Sequence, residues 1–275
     1  MTLEEKQSKL ESTLKDYQST IVAFSGGVDS AYLAFVAHRV LGERALAVTA
    51  VSPSLASFQR GDALSFAREY GFRHEVIQTE EMADSNYVAN PPNRCYFCKE
   101  ELFAKLKTLA DQRGYRTVSY GVNVDDLGDF RPGQEAASKF GVQAPLVEAG
   151  LKKAEIRSLS RTLNLNTWDH PASACLSSRI PYGMMVTVDK LEAIDRGEDA
   201  LHRLGFRQVR VRHHGEIVRI EISPDEMSRA LQLDMAGEFT RIFKSLGFRY
   251  VTLDLEGYRQ GALNEVLEML PGKRS

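Results

Sequence analysis

Cysteines, long apolar runs and an excess of positive charge are scarce or absent in this sequence of 275 residues. The three cysteines, an odd and small number, argue against a disulfide-stabilised fold and for a reducing compartment, so we expect a cytoplasmic protein. No apolar run approaches the roughly 18 residues of a membrane span, and the charged N-terminus lacks the apolar segment of a secretion signal. Lys and Arg total 35 against 37 Asp and Glu, a net charge of −2, which argues against a nucleic-acid partner.

Short apolar runs alternate with helical patterns over the first two thirds of the chain. The runs that read as strands are residues 21–24, 45–51, 73–77 and 117–123. Uniformly apolar strands are typical of parallel sheets buried on both faces, so we expect an α/β fold with a doubly wound parallel sheet. Ligands of such folds bind at the C-terminal ends of the strands, which is where Ser52 and Asn123 lie.

This rhythm changes near residue 183. The following sequence predicts a helix of about 16 residues, two strands around a His-Gly turn and a later strand near residues 248–255. Hairpins and helices without strand–helix–strand alternation suggest a smaller α+β domain. We therefore expect two domains, residues 1–183 and 184–275.

The segment SGGVDS, residues 25–30, lies between a predicted strand and a predicted helix. Two glycines let the backbone approach an anion, and the first amides of the helix point toward it. Asp29 is reasonable there if Mg²⁺ lies between its carboxylate and a phosphate. The loop lacks the lysine of a GxxxxGK[ST] motif, so γ-phosphoryl transfer is not predicted; the structural alternative is a plain Gly-Gly turn. The candidate phosphate-binding residues are Ser25, Gly26, Gly27, Asp29 and Ser30.

A second polar cluster follows the strand that ends near Gly121. The segment GVNVDDLGDFRPG carries three aspartates and an arginine. Carboxylates here, Asp126 among them, could hold Mg²⁺ opposite Asp29, and Arg131 could bind phosphate or a substrate carboxylate. The alternative is a solvated acidic loop.

The three cysteines are Cys95, Cys98 and Cys175. A CxxC pair can chelate a metal, form a redox dithiol or supply two ligands to an iron–sulfur cluster. The alternative without function is that the cysteines simply pack in the protein interior. A Cys₄ zinc site within one chain is excluded, although a Cys₃His site with His170 stays open. Three thiolates on a [4Fe–4S] cluster would leave one iron open to bind a sulfide.

Arg210 and Arg212 are two residues apart on a predicted strand and therefore share a face. Both could bind a phosphate or carboxylates in the bidentate way that arginine favours. The alternative is a solvated strand face on which they pair with Glu216 or Glu221.

The segment SGGVDS matches the SGGxDS loop of the PP-loop ATPases, and three further segments make the chain resemble the LarE family. These segments are GVNVDDLGDFRPG, WDHPASACLSSRIPYG and RVRHHGEIVRIEI. The resemblance implies that ATP is cleaved between its α- and β-phosphates, with AMP placed on a carboxylate of pyridinium-3,5-biscarboxylic acid mononucleotide. Sulfur then displaces AMP and leaves a thiocarboxylate.

The family has two kinds of sulfur source. In one, a single cysteine at the position of Cys175 gives up its own sulfur; in the other, three cysteines hold a [4Fe–4S] cluster that carries a spare sulfide. With Cys95 and Cys98 present, this sequence looks like the second kind, and sacrifice of Cys175 is the alternative. The family also implies a homo-oligomer.

The resemblance and the residue patterns together give the expected site. ATP, Mg²⁺ and the [4Fe–4S] cluster are the expected cofactors, and the partner is a small nucleotide substrate. The expected catalytic residues are Cys175, Asp29, Arg210, Arg212, Ser178 and Glu198. The expected nucleotide-binding residues are the loop residues 25–27, 29 and 30 together with Ser52, Gly121, Asn123, Asp126 and Arg131. The expected metal ligands are Cys95, Cys98 and Cys175.

Two other functions are consistent with a loop of this kind. The first is a PP-loop tRNA thiolase, since some of these enzymes also bind a cluster through three cysteines, but the balanced charge and the missing RNA-binding extension disfavour it. A non-catalytic nucleotide-binding regulator would leave ATP intact in the presence of the substrate.

Overall fold

The computed structural model describes residues 1–128, 132–171 and 174–259. The chain forms two compact units. The first contains Met1–Tyr87 and Asn93–Ser173, and the second contains Val88–Pro92 and Ala174–Ser275. No helix in the described part of the chain is both long enough and apolar enough to cross a membrane.

The second compact unit begins its long segment at Ala174, and the expected domain boundary at 183/184 stays a prediction. The segment Val88–Pro92 joins the second unit because the side-chain amide of buried Asn90 donates to the carbonyls of Ile180, Pro181 and Met184. Sequence periodicity carries no signal for such long-range bonds.

The first unit is built on a four-stranded sheet in the order β3-β2-β1-β4. Its strands are β1 Thr20–Ala23, β2 Ala45–Val51, β3 His74–Gln78 and β4 Thr117–Tyr120. All three strand pairs are parallel. The expected parallel α/β architecture is therefore confirmed for this unit.

Helices cover both faces of this sheet. The helices up to residue 162 are α1 Leu3–Tyr17, α2 Val28–Leu41, α3 Ser57–Glu69, α4 Ser85–Val88, α5 Arg94–Arg113, α6 Pro132–Lys139, α7 Pro145–Glu148 and α8 Lys153–Thr162. Val22 packs in a core with residues of α1 and α2, whereas its neighbour Ile21 packs in a second core with residues of α5. Because successive side chains of a strand point to opposite faces, this arrangement requires the unbroken apolar run that the sequence shows.

The second unit holds a smaller mixed sheet in the order β5-β6-β7. Its elements are α9 Val188–Arg203, β5 Val209–His214, β6 Ile217–Ile222, α10 Met227–Ala230, α11 Leu233–Ser245 and β7 Tyr250–Leu253. Strands β5 and β6 are antiparallel and β6 and β7 are parallel. Gly215 makes the tight connection between β5 and β6 with a φ of 70°, a conformation that glycine adopts without strain.

Candidate functional site

The phosphate loop, residues 24–27, connects β1 to α2 at the C-terminal end of the sheet's strands. The Ser30 hydroxyl lies 3.0 Å from that of Ser25 and also contacts the Ser25 amide and the Gly27 carbonyl. Gly27 is the N-cap of α2 and makes no side-chain cap hydrogen bond. Hydrogen bonds between Ser25, Gly27 and Ser30 therefore fix the shape of the loop. The backbone amides in the first turn of α2 and the positive end of the helix dipole can then bind an anion.

Two glycines, Gly26 in the loop and Gly121 after β4, allow other parts of the backbone to come close to it. Gly26 has a φ of 77°, and a side chain there would press on Ala63 of α3. Gly121, just after β4, passes so close to α2 that an added Cβ would lie 2.7 Å from the Ser30 amide nitrogen. The close approach of backbones at this edge is what a polyphosphate cradle requires, so the residues present fit ATP phosphates.

Asp29, in the first turn of α2, has two carboxylate oxygens in different environments. Oδ2 accepts a hydrogen bond from Lys153 Nζ at 2.6 Å, while buried Oδ1 has no hydrogen-bond partner among the described residues. Burial raises the pKa of Asp29 above its ordinary value, Lys153 works against that rise, and Asp126 adds to it. A partly buried carboxylate with an unpartnered oxygen, near a second carboxylate, fits the donor set that Mg²⁺ prefers.

The acidic loop after β4 is internally bonded. The Asn123 amide donates to Asp126 Oδ2 at 3.1 Å, and the Asp125 amide donates to Asn123 Oδ1 at 2.9 Å. Asp125 in turn accepts from the Lys153 amide at the start of α8. The loop is therefore a built structure rather than a freely solvated acidic segment. Arg131, expected to bind phosphate, lies outside the described residues.

Ser52 lies at the C-terminal edge of β2, as expected, but its hydroxyl donates to Glu81. Ser54 donates to the same Glu81 oxygen at 2.7 Å. Glu81 is buried, and its other oxygen, Oε2, has no hydrogen-bond partner among the described residues. This arrangement makes Ser52 part of a serine–glutamate cluster that shapes the loop after β2.

Cys95 and Cys98 lie three residues apart in the first turn of α5, and Cys95 is exposed. That spacing places both thiols on one face of the helix, which fits two ligands to one metal ion or cluster. Cys175 precedes the single turn Leu176–Arg179 and belongs to the second unit. The described residues contain no group of three or more His, Cys, Asp and Glu side chains arranged to hold a metal ion, so the three-cysteine cluster stays a prediction.

In the second unit, a fully buried arginine fixes the backbone around Cys175. Arg179 makes a bidentate pair with Glu198, with distances of 2.9 and 3.0 Å. Its remaining nitrogen, Nη1, donates to the carbonyls of Ala174 and Cys175 and to the Ser178 hydroxyl. The expected residues Cys175, Ser178 and Glu198 are therefore brought together, with Arg179 as the link.

The two strand arginines have different surroundings. Arg212 pairs with buried Glu221 at 2.7 and 2.8 Å and donates to the Ser178 carbonyl at 3.0 Å. The guanidinium of Arg210 lies 4.8 Å from the centre of the Tyr258 ring. Both arginines are buried, so the alternative of a solvated face is wrong, although one pairing that it named, with Glu221, is present.

Sequence reasoning missed Lys153, Glu81 and Tyr258 as members of these clusters. Lys153 reaches Asp29 across 124 residues of sequence, and no local motif marks it. Glu81 stands in an acidic stretch, TEEMAD, in which no residue is distinguished from its neighbours. Only the tertiary fold selects these three side chains.

One family model and several known proteins match this sequence. The NAD synthase family model matches residues 3–111, which include the phosphate loop. An uncharacterized protein of Synechocystis is 49% identical over 96% of this chain and 99% of its own length, and one of Methanocaldococcus jannaschii is 28% identical over 94% and 99%. The pyridinium-3,5-bisthiocarboxylic acid mononucleotide synthase of Lactiplantibacillus plantarum is 37% identical over 97% of this chain and 96% of its own. The chain therefore belongs to the LarE family of PP-loop enzymes, of which that synthase is a member.

Proposed function

We propose that the chain is an ATP-dependent sulfur transferase that converts a carboxylate of pyridinium-3,5-biscarboxylic acid mononucleotide into a thiocarboxylate. The observation that carries this proposal is the relationship, over nearly the whole of both chains, to a synthase named for the bisthiocarboxylic product. The closed phosphate loop supports the ATP-dependent half of the reaction, because its amides and hydroxyls suit a departing pyrophosphate.

In the first half-reaction, a substrate carboxylate oxygen attacks the α-phosphorus of ATP, the bond to the β-phosphate breaks and pyrophosphate leaves. The amides at the start of α2 stabilise the charge that develops on pyrophosphate. Asp29 and Asp126 would hold Mg²⁺, which would neutralise charge on the phosphates. Ser25 and Ser30 hold the loop in the shape that presents these amides.

Arg210 of the second unit binds an anionic group of the pyridinium mononucleotide. Burial and the nearby positive charge of Arg179 lower the pKa of Arg210. An anion bound at the guanidinium of Arg210 would offset that unfavourable positive charge, so anion binding there is favoured. Arg212 is held by Glu221 and positions the Ser178 carbonyl. Arg179 and Glu198 hold the backbone on both sides of Cys175 in place.

In the second half-reaction, sulfur attacks the adenylated carboxyl carbon and AMP leaves. We propose that Cys95, Cys98 and Cys175 hold a [4Fe–4S] cluster, which when bound supplies the sulfide. The alternative is that the Cys175 thiolate attacks, AMP leaves and the Cβ–S bond then breaks with loss of the Cα proton. That route leaves dehydroalanine at position 175 and ends after one event.

Two measurements separate these sulfur sources. Anaerobic reconstitution of the purified chain is expected to give about four irons per chain, and C95A is expected to abolish both cluster and multiple turnover. Mass analysis after turnover is expected to show the peptide containing Cys175 unchanged. Loss of the elements of H₂S from that peptide, or full multiple-turnover activity of C95A, would contradict the cluster.

The adenylation step has its own experiment. Exchange of labelled pyrophosphate into ATP is expected to require the pyridinium biscarboxylate mononucleotide and to disappear in D29N. Exchange that proceeds without the mononucleotide, or an ATP pool untouched in its presence, would contradict the proposed reaction. Salt-sensitive binding of tRNA together with tRNA-dependent AMP release would instead identify a tRNA thiolase.

We also propose that residues 1–183 form the ATP-cleaving domain and residues 184–275 a domain for substrate binding and assembly into a homo-oligomer. The family supports the oligomer. Light scattering on the eluted protein is expected to give a mass of several chains, and a monomer mass would contradict this part of the proposal.

A further inference from the structure

The phosphate loop is served by a cation that its own sequence lacks. SGGVDS contains no lysine or arginine, and a bound polyphosphate would meet the negative charge of Asp29. The structure places Lys153, the first residue of α8, with its ammonium 2.6 Å from Asp29 Oδ2. Both residues belong to the first unit.

The position of Lys153 is built into the fold. Its backbone amide donates to Asp125 Oδ2 at 2.8 Å, and the preceding Leu151 carbonyl accepts from the Val124 amide at 3.0 Å. These bonds tie the start of α8 to the acidic loop after β4, and Gly121 of that loop packs directly on the Ser30 backbone. The start of α8 and the start of α2 are therefore held side by side by backbone contacts.

The side chain of Lys153 is the more exposed member of its pair with Asp29. It keeps 34% of its exposure, against 17% for the side chain of Asp29. Asp29 Oδ1 is buried and has no hydrogen-bond partner among the described residues, so the carboxylate can accept a metal ion on that side. A metal ion there would repel the ammonium, and phosphate oxygens bound at the start of α2 would attract it.

We infer that Lys153 binds the β- and γ-phosphates of the nucleotide, supplied by α8 in place of the lysine that other phosphate loops carry within their own motif. The inference rests on the proposed function. In the ligand-free protein Lys153 neutralises Asp29, and in the nucleotide complex it neutralises the pyrophosphate group. Lys153 is thus a binding residue whose effect falls on the pyrophosphate half of ATP and spares the AMP half.

The test is equilibrium binding of pyrophosphate, ATP and AMP to the full chain in the presence of Mg²⁺. Loss of a charge-assisted hydrogen bond predicts that K153M binds pyrophosphate and ATP about 10- to 100-fold more weakly. AMP lacks both terminal phosphates and therefore does not contact Lys153. Its affinity for K153M is expected to stay within about twofold of wild type. K153R is expected to recover most of the pyrophosphate affinity. Exposed Lys152 gives the matched control K152M, which is expected to bind all three ligands like wild type.

The possible outcomes separate this inference from the function on which it rests. Wild type that binds neither ATP nor pyrophosphate overturns the proposed function and the inference with it. Wild type that binds both, with K153M binding pyrophosphate equally well, overturns the inference alone. A parallel loss of AMP and pyrophosphate binding in K153M would indicate a merely structural lysine and would also overturn it.

Discussion

At the scale of single residues, His74 supports the strand end that carries the phosphate loop. Thr49 Oγ1 donates to the Phe24 carbonyl at 2.8 Å and lies 2.8 Å from His74 Nε2. The Thr49 hydroxyl has one proton and uses it on Phe24, so His74 Nε2 must be the donor in the second contact. Because Phe24 immediately precedes Ser25, these hydrogen bonds fix the backbone from which the SGGVDS segment begins.

His74 predicts a pH dependence of stability. Burial lowers its pKa below the ordinary 6.5, so the unfolded chain takes up a proton at a pH where the folded chain does not. The stability that His74 contributes is complete above about pH 6.5 and is lost as the pH falls through the lowered pKa. The free energy of unfolding is measured in urea at about pH 7.5 and about pH 5. It is expected to fall more between the two pH values for wild type than for H74Q. An equal fall in both proteins would contradict this assignment.

Glu198 predicts a large loss of stability of its own. Its carboxylate pairs with fully buried Arg179 and also accepts from the Val211 amide, so E198Q leaves a buried guanidinium without its counter-charge. Removing one partner of such a pair costs about 3–5 kcal/mol. The matched control is E216Q, because Glu216 pairs with Arg249 at the surface, where a pair contributes about 0–1 kcal/mol. Similar unfolding free energies for the two variants would contradict the structural role of Glu198.

At the scale of elements, the packing of β4 against α2 shapes the phosphate site. The backbone after β4 passes the start of α2 so closely that only glycine fits at position 121. G121A is therefore expected to push the two elements apart, to destabilise the protein by about 1–3 kcal/mol and to weaken ATP binding.

The control for this prediction is another glycine-to-alanine change in the same unit. Gly61 lies within α3, and nothing stands within 4 Å of an added Cβ, so G61A is expected to gain about 1 kcal/mol from helix propensity. Thermal unfolding and ATP binding of both variants measure the contrast. A G121A protein that unfolds and binds ATP like wild type would show that the close approach is unimportant.

The sequence predicts the strands of the parallel sheet and the long helix after residue 183, but it does not predict every helix of the first unit. Strands β1 and β2 stand out because side chains on both of their faces are buried, whereas β3 is only partly buried. Helix α8 does not stand out, because only Ile156, Leu159 and Ser160 of its ten residues are buried and its N-cap, Lys152, is not a typical capping residue. Because the sequence does not mark α8, Arg131 rather than Lys153 was the cation predicted near the phosphate loop.

At the scale of the whole molecule, the candidate residues fall into two groups, one in each unit. The phosphate loop, the acidic loop, Cys95 and Cys98 belong to the first unit, and Cys175 with its buried arginines belongs to the second. The parallel sheet and the family were predictable, because both depend on contiguous motifs. The pairing of Arg179 with Glu198 was not, because it depends on a contact between distant segments.

The most direct test of the account is identification of the sulfur-containing product. The purified chain, reconstituted anaerobically, is incubated with ATP, Mg²⁺, sulfide and pyridinium-3,5-biscarboxylic acid mononucleotide, and the mononucleotide is analysed by mass spectrometry. The account predicts replacement of carboxylate oxygen by sulfur, with one AMP formed for each sulfur transferred. Formation of AMP with no sulfur in the mononucleotide, or a mononucleotide recovered unchanged beside intact ATP, would contradict it.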